Sequence, residues 1–149
     1  MKRMITAAVI GLTCLAGAAG AQAPAADVIK GRQAAMMLSG AAMGSIKTAI
    51  DSGQAPASQR FSTRALSRWA HAVPGMFPAG SGPEAGVQTN ARAEIWTDRA
   101  GFEARAAAYA AAADRLAETA GGEDAAAFSE AWTAVRRSCQ ACHDAYKAG

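Results

Sequence analysis

Near the end of the 149-residue chain stands the run Cys139-Gln140-Ala141-Cys142-His143. On a helix, Cys139 and Cys142 are three residues apart and share a face, and His143, four residues after Cys139, rises from the same face. Two sulfurs at that spacing can pin one edge of a porphyrin while the imidazole reaches its iron. The C-x-x-C-H pattern therefore predicts c-type haem attachment, with histidine as the proximal ligand. The expectation is one haem c, bound covalently through Cys139 and Cys142, with His143 axial to the iron.

Three other chemistries use the same residue types. A zinc site wants four ligands, and only His71 could join the motif once Cys14 is set aside. A dithiol redox site sits in a βαβ setting, and no stretch of the chain reads as strand. A disulfide across one helical turn leaves His143 without a role.

Two more residues carry chemistry through their position. Arg32 falls on an apolar helical stripe, between Ile29 and Met36. A cation turned inward needs an anion to offset its desolvation, and a haem propionate would serve; the other reading has Arg32 reach water from the stripe edge. Met36 points to the core from the same stripe, where it packs or offers its thioether to the distal side of the iron. His71 reads as an exposed residue without a role.

Four helices must position these groups. The first spans about Asp27 to Ile50, where Ile29, Met36, Met43 and Ile50 recur every seven residues and Ile46 joins them. The second spans about Ser58, read as its N-cap, to Val73, with Phe61, Ala65 and Trp69 as its inner face and Leu66, Val73 and Met76 alongside. Pro74 ends it. A loop rich in Gly and Pro then runs to about Trp96, long enough to suggest a purpose. The third helix begins near Thr97-Asp98, steps through Phe102, Ala106, Tyr109, Ala113 and Leu116, and ends at Gly121-Gly122. The fourth begins at Glu123-Asp124 and carries Phe128, Trp132, Val135, Cys139, Cys142 and Tyr146 inward. Trp69, Trp96, Trp132 and Phe128 read as core around the cofactor. Steps of four and three form the seam of helices crossing at about 20°. The fold class is all-α, an antiparallel up-down-up-down four-helix bundle enclosing one haem.

The amino terminus reads as an export signal. Lys2 and Arg3 precede an apolar run from Ile5 to Leu15, and Ala19-Gly20-Ala21 offers small residues for cleavage. Removal of residues 1–21 would take Cys14 away and leave 22–149 as a periplasmic domain with no membrane span. That domain has 13 Lys and Arg against 12 Asp and Glu, a balance that gives no case for nucleic acid. Nor is there a Ser-His-Asp order, a phosphate-cradling loop or a paired-carboxylate site, so no catalytic site is read.

With C-x-x-C-H closing a four-helix pattern, the chain resembles the class II cytochromes c, that is cytochrome c′ and its low-spin relative cytochrome c556. Four stretches carry the likeness: Val28-Ile29-Lys30-Gly31-Arg32-Gln33, Met76-Phe77-Pro78-Ala79-Gly80-Ser81, Ala93-Glu94-Ile95-Trp96, and Ser138 to Lys147. The resemblance implies that Arg32 and Gln33 approach the haem propionates and that Thr89 to Glu94, with Arg92, closes over the same edge. It places Lys147 beside the proximal ligand and Met36 at the distal position, where low-spin members bind iron and high-spin members leave it five-coordinate. Gly31 and Ala93 depart from the family's pattern. Electron transfer with redox partner proteins is the expected function; the alternative is binding of NO or CO at an open distal face. Members often pair through their first two helices, which makes a homodimer an expectation of the resemblance as well.

Overall fold

The computed structural model describes residues 24–149; the export signal expected at 1–21 lies outside them. Five α-helices follow in order: α1 (Ala25–Asp51), α2 (Arg60–Ala72), α3 (Glu94–Thr97), α4 (Arg99–Thr119) and α5 (Ala125–Tyr146). The four long ones form the bundle expected. α4 packs between α2 and α5, and α1 closes the ring against α2 and α5. Among the described residues the sole β-type pairing is an isolated bridge between Ala91 and Lys147, so these residues offer no βαβ setting for a dithiol.

α1 is 27 residues long, about 40 Å at 1.5 Å per residue. Gly53 turns the chain after it with φ 65°, a left-handed conformation that glycine adopts without steric cost. α2 is flanked by two 3₁₀ turns, Pro56–Gln59 and Val73–Met76. Each has proline in its first turn, where the missing N–H would have had no intrahelical partner.

The structure corrects two details of α2. Ser58 lies inside the first 3₁₀ turn and caps nothing; Gln59 precedes the helix and gives no side-chain cap. The buried face is Thr63, Leu66 and Ala70, continued by Val73, whereas Phe61 is 87% exposed and Ala65 is exposed as well. Two apolar stripes compete on this helix, and the one between α1 and α4 goes inward. Thr63 fits there because its hydroxyl donates back to the carbonyls of Gln59 and Arg60, which satisfies the polar atom locally.

The third helix begins at its cap: Asp98 accepts from the Gly101 N–H at 3.1 Å. The residues just before it form the separate single turn α3, so the loop ends earlier than Trp96. Asp124 caps α5 by accepting from the Ala127 N–H at 2.9 Å. Both acids also sit at the positive end of a helix dipole.

The core runs through Ile46, Phe102, Leu116 and Val135, each at most 1% exposed. Phe102 meets Phe77 edge-on at 5.0 Å and Tyr146 at 5.5 Å, arrangements that aromatic quadrupoles favour. These contacts, with the Trp96 indole N–H donating to the Pro78 carbonyl at 2.9 Å, tie the long connection to the end of α5.

Candidate functional site

Two adjoining cavities lie between α1 and α5, of about 720 and about 450 Å³. Met36, Val73, Cys142 and His143 line both. Cys139 lines the smaller one, toward Met43, Tyr109 and Trp132. Arg32, Gln33 and Thr89 line the larger one. The slot therefore has a sulfur-bearing end and a guanidinium end, with Met36 and His143 between them. Neither lining contains an aspartate or glutamate.

α5 brings the motif to the slot as one helical face. Cys139 and Cys142 are free thiols, half-buried, so no disulfide closes the turn between them. Burial pushes both thiols above their ordinary range, and Cys142 adds to the effect at Cys139. The His143 imidazole is held below its ordinary range, first by burial and then by Lys147, with Asp144 opposing. An imidazole kept neutral has a free nitrogen to give a metal.

Arg32 is 2% exposed, which overturns the reading in which it reaches water. It donates to Ser81 Oγ at 2.9 Å, to Thr89 Oγ1 at 3.1 Å and to the Met76 carbonyl at 3.5 Å. Its guanidinium also lies 4.5 Å from the centroid of the Phe77 ring, a favourable seat for a cation. All these partners are neutral. Desolvation lowers the pKa of Arg32, and Glu84, which it does not bond, opposes this. A buried guanidinium without a bonded carboxylate, facing a cavity, suits an anionic group.

The other expected residues divide. Gln33 donates to the Gln88 carbonyl at 3.0 Å, and Thr89 receives Arg32 while accepting from the Ala91 N–H. Arg92 turns away from the cavity and donates to the Asp144 carbonyl at 3.3 Å. Glu94 is exposed at the start of α3. Met36 is 36% exposed in the slot. Of the aromatic residues expected around the cofactor, Trp132 reaches the slot, fixed by its N–H donating to the Met43 carbonyl at 3.0 Å; Trp69, Trp96 and Phe128 lie behind it.

His71 pairs with Asp114 on α4 at 2.9 Å and is 61% exposed, and it lines neither cavity with the motif. Among the described residues no three His, Cys, Asp or Glu side chains converge as metal ligands. Sequence reasoning missed Ser81 and Tyr146. Ser81 is fully buried and shapes the Arg32 seat, donating to the Pro78 carbonyl at 2.8 Å. Tyr146 lines the larger cavity and donates to Asp98 at 2.7 Å. The Met76–Ser81 stretch marked the first; the spacing of α5 turned the second inward but did not show its bond to Asp98.

A bundle with a slot of this shape and a C-x-x-C-H face defines a haem protein of the c type, and comparison with known proteins agrees. The family model described as Cytochrome C' matches residues 27–147. Cytochrome c' of Alcaligenes xylosoxydans xylosoxydans is 34% identical over 123 residues, 81% of this chain and 93% of that one. The crystal structure of cytochrome c' from Thermochromatium tepidum superposes with a TM-score of 0.77 at 26% identity, covering 84% of this chain and 97% of that chain. A nitric oxide complex of a point variant of cytochrome c prime from Alcaligenes xylosoxidans gives 0.76 at 26% identity, with coverage of 85% and 98%. The chain belongs to the cytochrome c′ family. It is a haem c-type cytochrome, and its cofactor is covalently bound haem c.

Proposed function

We propose that Cys139 and Cys142 carry the haem as thioethers, that His143 is its axial ligand, and that the domain exchanges single electrons with a protein partner outside the cytoplasmic membrane. The observation behind the assignment is the slot itself. The thiols open into it toward one end, the imidazole between, and the buried Arg32 lines the other end without a bonded carboxylate. When bound, the haem supplies an iron that cycles between two oxidation states.

This chain's residues do the rest. Partial burial and the nearby Lys147 hold the His143 pKa below its ordinary value, which favours the form with a nitrogen lone pair to give. Arg32 and Thr89, braced by Ser81, orient a propionate, and Gln33 stands beside them. Phe77, Phe102 and Val73 exclude water from the apolar walls. Met36, which lines both cavities with His143, would supply a second ligand in this reading. Export rests on the signal expected at residues 1–21; no described helix is long and apolar enough to cross a membrane. The homodimer through α1 and α2 belongs here too: Leu38 on α1 and Phe61 on α2 are 71% and 87% exposed, a pair of apolar side chains that a second copy would cover.

A second reading has support of its own: a similar protein has been crystallised with nitric oxide. On that reading Met36 only packs above the iron and leaves the position open to NO or CO. The visible spectrum of the reduced protein, recorded with and without NO, separates the two. A sharp α band that NO leaves unchanged means a sixth ligand and electron transfer. A broad visible region that NO shifts means an open site.

A further inference from the structure

We propose that Tyr109 of α4 donates its phenol hydrogen to a small ligand held at the open face of the haem, and so favours ligands whose outer atom takes on negative charge, NO before CO. This rests on the open-site reading of the preceding section and names the residue that would set its preference. The observation is one donor without a fixed partner in a cavity whose other polar groups are settled. Tyr109 is 8% exposed, yet it lines the smaller cavity together with Met36 and His143. Trp132 donates to the Met43 carbonyl at 3.0 Å, Ser39 to the Ala35 carbonyl at 2.8 Å and Ser138 to the Val135 carbonyl at 2.7 Å. Lys47 and Arg136 are exposed to solvent. Among the described residues no carbonyl or carboxylate takes the phenol hydrogen. The Ser39 hydroxyl stands beside it but spends its own hydrogen on Ala35.

A buried tyrosine hydroxyl usually finds a partner, because a buried donor left unbonded is costly. The haem cannot be that partner. In the placement proposed above its carboxylates lie at the Arg32 end, and its thioether edge carries no oxygen. The partner is therefore a molecule held beside the haem. Tyr109 enters from α4, with Ser39 of α1 on one hand and Cys139 of α5 on the other. Ser39 follows Met36 by one helical turn, so the phenol is placed toward the wall that carries the open position. Burial pushes the phenol above its ordinary range, Cys139 adds to this and Ser39 opposes it, so the group stays protonated and acts as a donor. Hydrogen-bond donors beside a haem decide which ligand it keeps. NO takes more electron density from ferrous iron than CO does, and a single donor facing the ligand holds NO the more firmly of the two.

Infrared spectra of the NO and CO complexes test this. The reference is the haem-loaded Met36→Ala protein, whose iron has an open position on either reading of Met36. Its N–O and C–O stretches should shift when water is replaced by deuterium oxide, and both should move to higher frequency when Tyr109→Phe is added. The ratio of NO affinity to CO affinity should fall by about two- to tenfold, the worth of one hydrogen bond. Ser39→Ala removes the neighbour that competes for the phenol, so it should leave the stretches at or below those of the reference. If Tyr109→Phe does not load haem, the deuterium shift and the Ser39→Ala spectra still decide the matter. Stretches that ignore deuterium oxide and Tyr109→Phe alike, or an unchanged affinity ratio, would overturn the proposal and leave the open-site reading standing. A reference protein that binds neither gas would overturn both.

Discussion

The guanidinium of Arg32 on α1 donates to the hydroxyl of Ser81 at 2.9 Å, in a seat where both groups are buried. Forty-nine residues separate them in sequence, so the contact folds the long connection down over the end of α1. Ser81 donates its own hydroxyl hydrogen bond to the Pro78 carbonyl, which leaves its oxygen lone pairs free to accept. The arrangement satisfies the donors of Arg32 but leaves its charge without a counter-ion.

The Arg32→Met variant should therefore behave oppositely in the two forms of the protein. In the haem-free polypeptide it should be neutral or stabilising, because an unpaired buried cation is lost. In the haem-loaded protein it should cost about 2–3 kcal/mol, as for hydrogen bonds to charged groups. Chemical denaturation of both forms measures the difference, and an equal loss in both would show that Arg32 serves the fold alone.

A substitution at Met36 tests the proposed sixth ligand. In the electron-transfer reading, Met36→Ala should abolish the sharp α band and let NO and CO bind the reduced protein, with little change in the far-ultraviolet helical signal. A variant spectrum identical to the parent's would remove Met36 from the iron.

Gly101 is pinched in the first turn of α4. A Cβ there would meet the Asp98 carboxylate and the Tyr146 hydroxyl, which bond each other at 2.7 Å. Alanine usually gains about 1 kcal/mol over glycine in a helix. Gly101→Ala should instead destabilise the protein by about 1–2 kcal/mol through loss of the cap and the tyrosine contact. A thermal midpoint above the parent's would contradict this.

Asp114 holds α4 to α2 by accepting from Ser67 at 2.6 Å and meeting His71 at 2.9 Å. Its pKa is lowered from the ordinary 3.8, first by the Ser67 bond and then by the His71 bond. A carboxylate with a depressed folded pKa adds stability that is complete above its unfolded value and disappears as pH falls through the folded one. Asp114→Asn should cost under about 1 kcal/mol at pH 7, because solvent screens a half-exposed pair. The gap between parent and variant should close below pH 3.8. A gap that persists in acid would mean that the carboxylate's charge is not what holds the two helices.

Much of this fold was legible in the sequence, and the parts that were not have physical causes. The caps Asp98 and Asp124 were visible because a short acid before an apolar run satisfies free N–H groups. The inner face of α2 was not. Phe61, Ala65 and Trp69 form one stripe and Leu66, Ala70 and Val73 another; only the placement of α1 and α4 chooses between them. Thr63 was hidden for a similar reason, since its back-bonding to Gln59 makes a polar residue fit for the core. At the site, the C-x-x-C-H face could be read from spacing alone because all its members lie within two helical turns. The seat of Arg32 could not, since Ser81 and Thr89 reach it through a connection whose path no periodicity records.

Substitutions on α2 test that lesson. At a dilution that keeps the chains apart, Phe61→Ser should change stability by no more than about 0.5 kcal/mol, as expected for a surface position. Leu66→Ala should cost about 2–5 kcal/mol. Urea melts of the two variants at that dilution compare them directly, and a large loss from Phe61→Ser would show that Phe61 packs within its own chain.

The most direct test is the intact mass of the protein secreted by a host able to attach haem to c-type cytochromes. The parent should weigh one haem more than its polypeptide, and the extra mass should persist through denaturation in acid. Cys139→Ala with Cys142→Ala should return the bare mass. A parent with bare mass and no Soret absorbance would contradict the account, as would a double variant that still holds its haem covalently.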